Sequence, residues 1–199
     1  MEERLQGNPV SEGIAYAKSY IYIPGTLTKA PEFFPKGQEE EKYREFRESC
    51  EKADSELVTL YNGMCKEDPD KAKIFSAHRE LLQDEEILDE IRETICEENM
   101  NPDSAVSKVY TEFAELLAGV EDPLIAERAA DLRDVRDRLL RILSGKETSK
   151  LSSFSEDVIL VAHDLLPSDT ATMDRKHIKG ILTEVGGVNS HSAILEIGR

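Results

Sequence analysis

The chain has 199 residues, of which 39% are hydrophobic and 6% aromatic, and its formal net charge is −16 at pH 7. This acidic excess argues against nucleic acid as a partner, because that binding depends on cationic contacts with phosphates, and it favours a basic protein partner. No apolar run approaches the length of a membrane span, and the opening MEERLQGNP is acidic where a signal peptide would be basic. We therefore expect a cytoplasmic protein without a membrane partner.

The first predicted element lies near the N-terminus. Residues from about Gly7 to Ile23 are rich in Ile, Val, Tyr and Ala, and the turn dipeptide Pro24-Gly25 follows them. This pattern predicts two short strands or one bent strand.

The middle of the chain has a helical pattern from about Lys36 to Gly145, with apolar residues recurring at spacings of three and four. Three helices are predicted to begin where Asp or Asn precedes proline, a pair suited to the N-cap and first turn: Asp68-Pro69, Asn101-Pro102 and Asp122-Pro123. The short connections predict an antiparallel bundle of four or five helices.

Most of the acidity belongs to this bundle. Residues Phe33 to Gly145 include 29 acidic and 16 basic residues, a net charge of −13. Within it, LLQDEEILDE (Leu81–Glu90) mixes apolar side chains with a dense cluster of carboxylates. A solvated helix face is the common meaning of such a cluster, and a docking surface for a small basic protein is the alternative that we favour here.

The end of the chain has the alternating pattern of an α/β domain. Asp157–Leu165 is predicted as a buried strand because of its continuous apolar run. Leu166–Met173 is predicted to contain a short helix, and Ile178–Gly187 to form the next strand. Ligand sites in open α/β sheets lie at the carboxyl ends of the strands. We therefore expect the loops that follow these two strands to face one crevice.

The second of these loops leads to a histidine. Gly186-Gly187 allows close backbone approach, and Asn189 and Ser190 are typical helix N-cap residues. His191 would then lie in the first turn of a helix, where backbone N–H groups and the helix dipole favour an anion. This placement points to a histidine that carries phosphate, whereas a capping loop with an incidental histidine is the simpler alternative.

The spacing of cysteine and histidine does not match a metal site. No CxxC or HExxH pair occurs among the seven residues: Cys50, Cys65, Cys96, His78, His163, His177 and His191. We expect reduced thiols and no metal bound by this chain.

Five segments, in order, resemble the N-terminal portion of enzyme I of the bacterial phosphoenolpyruvate-dependent sugar phosphotransferase system. They are GNPVSEGIAYAKSYI (Gly7–Ile21), IFSAHRELLQDEEI (Ile74–Ile87), ERAADLRDVRDRLL (Glu127–Leu140), DLLPSDTATM (Asp164–Met173) and GGVNSHSAI (Gly186–Ile194). A glycine pair followed by Ser-His is shared with pyruvate phosphate dikinases and phosphoenolpyruvate synthases. Those proteins are not expected to carry the acidic bundle.

The resemblance implies roles for particular residues. His191 matches the histidine that is phosphorylated on Nε2, Thr170 matches a threonine that hydrogen-bonds it, and Lys71 matches a lysine that reaches the same site. Gly187, Asn189 and Ser190 are expected to support the phosphate. The residues that map onto the surface for the phosphocarrier protein HPr are His78, Leu81, Leu82, Glu85, Glu86, Ile87 and Arg128. A packed core histidine is an equally good interpretation of His78.

The resemblance also implies a fold and domain limits. We expect a swivelling phosphohistidine α/β domain, residues 1–35 plus 146–199, split by an inserted antiparallel helical bundle, residues 36–145, that binds HPr. Further strands, and a barrel that binds phosphoenolpyruvate and Mg²⁺ and forms the family's dimer, would lie beyond Arg199. We accordingly expect an incomplete α/β domain, a monomer with no cofactor, and no phosphorylation directly from phosphoenolpyruvate.

The expected function is transfer of a phosphoryl group through His191 to HPr, the first step of sugar uptake. Asn189 stands where the family usually has threonine, which leaves open a module that docks HPr without transferring phosphate. An enzyme I-like segment of a multiphosphoryl protein that serves dihydroxyacetone kinase is a further alternative.

Overall fold

A computed structural model describes residues 7–22, 32–66, 68–145, 150–163, 165, 169–170 and 173–185. The chain divides into two compact units. The helical unit is Gly25–Thr148, and the sheet unit combines Met1–Pro24 with Ser149–Arg199. The limits predicted from sequence, 36–145 for the bundle and 1–35 plus 146–199 for the α/β domain, differ from these at both junctions.

The helical unit contains five helices in its described part. They are α1 (Glu39–Met64), α2 (Pro69–Leu82), α3 (Glu85–Cys96), α4 (Pro102–Ala118) and α5 (Pro123–Leu143). Helices α2, α4 and α5 each begin at the proline of a predicted Asp-Pro or Asn-Pro pair. At α2 the side chain of Asp68 accepts hydrogen bonds from the backbone N–H groups of Asp70 and Lys71, both at 3.1 Å.

The start of α3 is not marked by an Asp-Pro or Asn-Pro pair. Asp84 ends the α2 pattern because its Oδ1 accepts from the backbone N–H groups of Glu86 at 3.1 Å and Ile87 at 3.2 Å. A capping aspartate therefore divides the Leu81–Glu90 stretch between two helices.

The core of the helical unit is built from the apolar residues that recur along α1 and from apolar faces of the other helices. Phe46, Ala53 and Leu57 of α1 are fully buried, as is Tyr110 of α4. The Tyr110 hydroxyl donates to the backbone carbonyl of Leu81 at 3.4 Å. The burial of each large apolar side chain stabilises the fold by roughly 1.5–3 kcal/mol.

The sheet unit has a three-stranded parallel sheet. Strands β1 (Lys18–Tyr22), β2 (Val158–Ala162) and β3 (Ile178–Thr183) lie in the order β1-β2-β3. The N-terminal region thus supplies one strand within its described part, and it pairs with β2 as expected. All three strands are shorter than their predicted ranges.

The two faces of this sheet differ in burial. Val158, Leu160 and Ala162 point to the buried face, whereas Ile159 and Val161 are half-buried. The core on the buried face also includes Leu151, Leu165 and Ile178, with Tyr20, Tyr22, Phe154, Met173 and Ile181 packed against it. The rings of Tyr20 and Phe154 meet edge to face with centroids 5.0 Å apart.

Within the described residues, none of the helices is both long and apolar enough to cross a membrane.

Candidate functional site

Backbone hydrogen bonds continue the pairing of β2 with β3 past the carboxyl ends of both strands. The backbone N–H of Glu184 donates to the carbonyl of Ala162 at 3.1 Å, and that of Val185 donates to His163 at 3.0 Å. The side chains of His163 (Nδ1) and Glu184 (Oε2) lie 2.8 Å apart. These contacts hold the polypeptide in place up to the residue that precedes Gly186.

The four residues expected around the phosphate in the second loop, Gly187, Asn189, Ser190 and His191, lie outside the described residues. Their roles therefore stay predictions.

The first loop segment, Asp164–Met173, is described at four residues, two of which, Asp169 and Thr170, bear on the site. Thr170 is fully buried, and the Oδ1 atom of Asp169 accepts a hydrogen bond of 3.0 Å from the hydroxyl of Tyr22. Tyr22 is the last residue of β1, and β1 lies beside β2 in the sheet. Thr170 therefore lies in a loop that is tied to the carboxyl end of β1, where binding sites of parallel sheets form.

Lys71 lies in the first turn of α2, in the helical unit. Its Nζ is 3.6 Å from Oδ2 of Asp68, and its side chain is 34% exposed. The backbone N–H of Lys71, which donates to Asp68, contributes most to lowering the pKa of that carboxyl. The ammonium group is thus accessible and paired with the cap, and its predicted role at the phosphate is not tested by this geometry.

The residues predicted to bind HPr separate into exposed and buried sets. Glu85, Glu86 and Arg128 are exposed, and Leu81 is half-buried. In contrast, Leu82, Ile87 and His78 retain only 2%, 3% and 0% of their exposure and belong to the core. For Leu82 and Ile87, packing corrects the expectation of a surface position, because helices α2 and α3 turn them inward. For His78, it selects the packed position that the sequence also allowed.

His78 is surrounded by carboxylates from α5. Its Nε2 lies 3.3 Å from Oδ1 of Asp131, and its Nδ1 lies 3.6 Å from Oδ2 of the buried Asp134. The Phe75 ring meets the imidazole edge-on at 6.3 Å. Sequence analysis allowed a packed histidine here but missed its partners. The signal was present as two aspartates three residues apart, a spacing that puts both on one face of a helix.

A second buried charge lies one turn further along α5. Arg138 is 5% exposed, and its Nη1 donates to Oε2 of Glu56 on α1 at 2.7 Å. Arg141 contacts the same carboxylate oxygen. Helix α5 is thereby joined through charged groups to α1 and, through His78, to α2.

Large apolar side chains are exposed where α4 ends and α5 begins. Leu116 is 69% exposed, Val120 41% and Ile125 37%. An apolar residue at helical spacing predicts a core position, and Leu116 follows such a spacing in α4 but is exposed. Together with Glu85, Glu86 and Arg128 they give the helical unit exposed groups of mixed character, as protein-binding surfaces have.

No cluster of three or more His, Cys, Asp or Glu side chains able to hold a metal ion occurs within the described parts of the chain.

Two protein families match this sequence, one over its N-terminal part and one near its end. Residues 6–128 match the family described as PEP-utilising enzyme, N-terminal, and residues 154–197 match the family described as PEP-utilising enzyme, mobile domain. Since the first match covers more than half of the chain, the chain belongs to the phosphoenolpyruvate-utilising enzymes of this N-terminal family.

Individual relatives of the chain carry the name phosphoenolpyruvate-protein phosphotransferase. The chain is 38% identical over 196 residues to phosphoenolpyruvate-protein phosphotransferase of Priestia megaterium and 37% identical over 194 residues to that of Bacillus subtilis. These alignments cover 98% and 97% of this chain but 34% of each relative. The chain thus spans about a third of the length of the curated relatives it matches.

Solved structures agree with this placement. A solution NMR structure of an enzyme I protein matches with a TM-score of 0.81 and 36% identity, covering 98% of this chain and 79% of that one. The N-terminal domain of a nitrogen-type enzyme I matches with a TM-score of 0.66 at 24% identity, which shows a shared fold alone. The resemblance to the N-terminal portion of enzyme I is confirmed.

Proposed function

We propose that this chain performs the phosphoryl-transfer part of an enzyme I, in which His191 exchanges a phosphoryl group with a histidine of HPr. The observation that carries the proposal is that the segments adjoining the two predicted site loops are held at the same edge of the sheet. Asp169 and Thr170 are tied to the end of β1, and the strand that leads toward His191 is tied to the end of β2 through Glu184 and Val185.

The chemistry required of such a site is modest. A neutral imidazole nitrogen of His191 forms a bond to phosphorus while the N–P bond of phospho-HPr breaks. The departing imidazole carries a proton on its other ring nitrogen and so leaves as a neutral base, and the phosphorylated ring of His191 keeps the proton on its own second nitrogen. Catalysis then depends on alignment and on hydrogen-bond donors for the phosphoryl oxygens. The hydroxyl of Thr170 and the amides around Gly187 and Ser190 are the proposed donors, and Lys71 is the proposed cation.

The proposed docking surface for HPr consists of the members of the predicted set that reach the surface and of exposed apolar side chains of α4 and α5: Leu81, Glu85, Glu86, Leu116, Ile125 and Arg128. Leu81 and Arg128 each lie one helical turn from the contact between His78 and Asp131, which joins α2 and α5. We assign His78, Leu82 and Ile87 the role of holding this surface in place from beneath.

Charge supports the same partner. The bundle carries a net charge of −13 between Phe33 and Gly145, so a partner that is basic around its own histidine is attracted over distance. Attraction of this kind raises the association rate and weakens as salt is added.

Transfer is tested by incubating the chain with HPr that is already phosphorylated on its histidine. Intact mass is measured under alkaline conditions, in which phosphohistidine survives. The expected result is one added phosphate on the wild type and none on His191→Ala. Since the relatives are about three times longer than this chain, the donor phosphoenolpyruvate is left out of this assay.

Two other outcomes are informative. HPr binding in an NMR titration without phosphate gain overturns transfer and leaves a docking module, the alternative raised by Asn189. Phosphate gain on both the wild type and His191→Ala identifies a different acceptor and overturns the role of His191.

A further inference from the structure

The hydrogen bond between Tyr22 and Asp169 joins residues that are 147 positions apart in sequence, with a distance of 3.0 Å between the hydroxyl and Oδ1. Both side chains are partly buried. The Tyr22 ring packs against the core of the sheet unit, beside residues such as Leu160 and Ala162. The hydroxyl is therefore a fixed donor at the carboxyl end of β1.

Asp169 transmits this restraint to its neighbour. Its carboxylate is held by Tyr22, and the next residue in the same helical turn is the fully buried Thr170. Because one peptide bond is rigid and planar, fixing Asp169 restricts the direction in which the backbone presents the Thr170 side chain. A hydrogen bond that includes a charged acceptor is stronger than one between neutral groups.

We propose that Tyr22 is a positioning residue for phosphoryl transfer: its hydroxyl holds Asp169 and thereby sets the orientation of the Thr170 hydroxyl. This inference rests on the proposed function. Tyr22 does not itself touch the phosphoryl group in this scheme. It acts on the rate of transfer and leaves the docking of HPr unchanged, because the proposed docking residues belong to the helical unit.

The test compares wild type with Tyr22→Phe, which removes the hydroxyl and keeps the ring. Rapid-quench measurements give the rate constant for transfer from phospho-HPr at saturating concentration, and NMR titration gives the Kd for HPr. We expect the rate constant to fall about five- to tenfold, the size of effect that loss of one hydrogen bond produces. The Kd should stay unchanged, whereas the thermal midpoint should fall by a few degrees because the part-buried Asp169 loses a hydrogen-bond donor.

Tyr20→Phe is the matched control. Tyr20 lies two residues earlier in β1 and packs its ring edge-on against Phe154, so the change also removes one hydroxyl from the same strand. It should leave the transfer rate constant at the wild-type value. An equal loss in both variants overturns the proposal, since it indicates a general effect of altering β1.

A double-variant cycle adds a readout that a merely structural role would not reproduce. If Tyr22 acts through Asp169, then Asp169→Ala slows transfer, and adding Tyr22→Phe to it has no further effect on the rate constant. Additive losses overturn the proposed route. The ¹³C-methyl resonance of Thr170 should shift in Tyr22→Phe and stay in place in Tyr20→Phe.

Failure of this inference is distinguishable from failure of the proposed function. A wild type that accepts phosphate, with Tyr22→Phe equally fast, overturns the positioning role alone. A folded wild type that accepts no phosphate overturns both.

Discussion

His78 and Asp131 link two helices of the helical unit through a contact of 3.3 Å between Nε2 and Oδ1, with the imidazole completely buried. The other ring nitrogen faces Asp134, which is itself buried. The buried imidazole between two carboxylates stabilises the packing of α2 against α5. Residues one helical turn away, such as Leu81 and Arg128, remain available to a partner.

The first prediction concerns this contact. Replacing His78 by Ala should lower the free energy of unfolding by about 3 kcal/mol, because a buried carboxylate loses a partner and a cavity remains. Urea unfolding followed by circular dichroism measures the change. Arg128→Ala, an exposed change on the same helix as Asp131, should stay within about 0.5 kcal/mol of wild type. Wild-type stability in His78→Ala would show that the contact contributes little.

The second prediction separates docking from packing in α3. Glu85→Lys should weaken HPr binding about tenfold, because it reverses a charge in the proposed docking surface, and should leave stability nearly unchanged. Ile87→Ala, two residues later, should instead cost roughly 2–5 kcal/mol of stability because Ile87 is buried. Calorimetric titration with HPr and urea unfolding of both variants measure the two effects. A stable Ile87→Ala with lost binding would place Ile87 at the interface.

The third prediction concerns pH. The pKa of Asp174 lies well below its ordinary value of 3.8, chiefly because of the hydrogen bond from His177 and then that from the backbone N–H of Phe154. A carboxyl whose pKa is lower in the folded state stabilises the fold above its unfolded pKa, and this contribution is lost as pH falls. Stability of the sheet unit should therefore decrease below about pH 4.

Asp174→Asn provides the control for this pH effect. Without the titrating group, the urea midpoint should be lower at pH 7 and should change less between pH 5 and pH 3 than in wild type. An identical pH dependence in the two proteins would assign the acid sensitivity to other carboxyls.

The fourth prediction concerns thiol reactivity. Burial raises the pKa of Cys50 to about 12, so very little thiolate exists at pH 8, and the thiolate is the reactive form. Under native conditions, iodoacetamide should modify Cys50 more slowly than Cys65. Peptide mass mapping after timed quenching gives the order. The difference should vanish in 6 M guanidinium, and early labelling of Cys50 in the native protein would contradict its raised pKa.

Local chemistry made several elements predictable. Proline after Asp or Asn located the starts of α2, α4 and α5, and the apolar run after Asp157 located β2. Such signals depend on neighbours in sequence, so they can be recognised without tertiary information.

The features that were not predicted depend on which side of each helix packs against the rest of the unit. Ile87 lies among carboxylates in sequence, yet helix α3 turns it into the core. Leu116 follows an apolar helix pattern but is exposed. The bond from Tyr22 to Asp169 spans 147 positions, and no local pattern specifies such a pair. These features arise from packing between elements, which the order of residues records only indirectly.

The pairing of β1 with β2 has a consequence for synthesis. Their partner residues, such as Tyr20 and Leu160, are separated by the whole helical unit. A ribosome releases the helical unit before β2 emerges, and domains generally fold as units in the order of their synthesis. During this interval β1 has no partner from its sheet. The apolar side chains of β1 stay uncovered by β2 until then, so the sheet unit completes its folding after the helical unit.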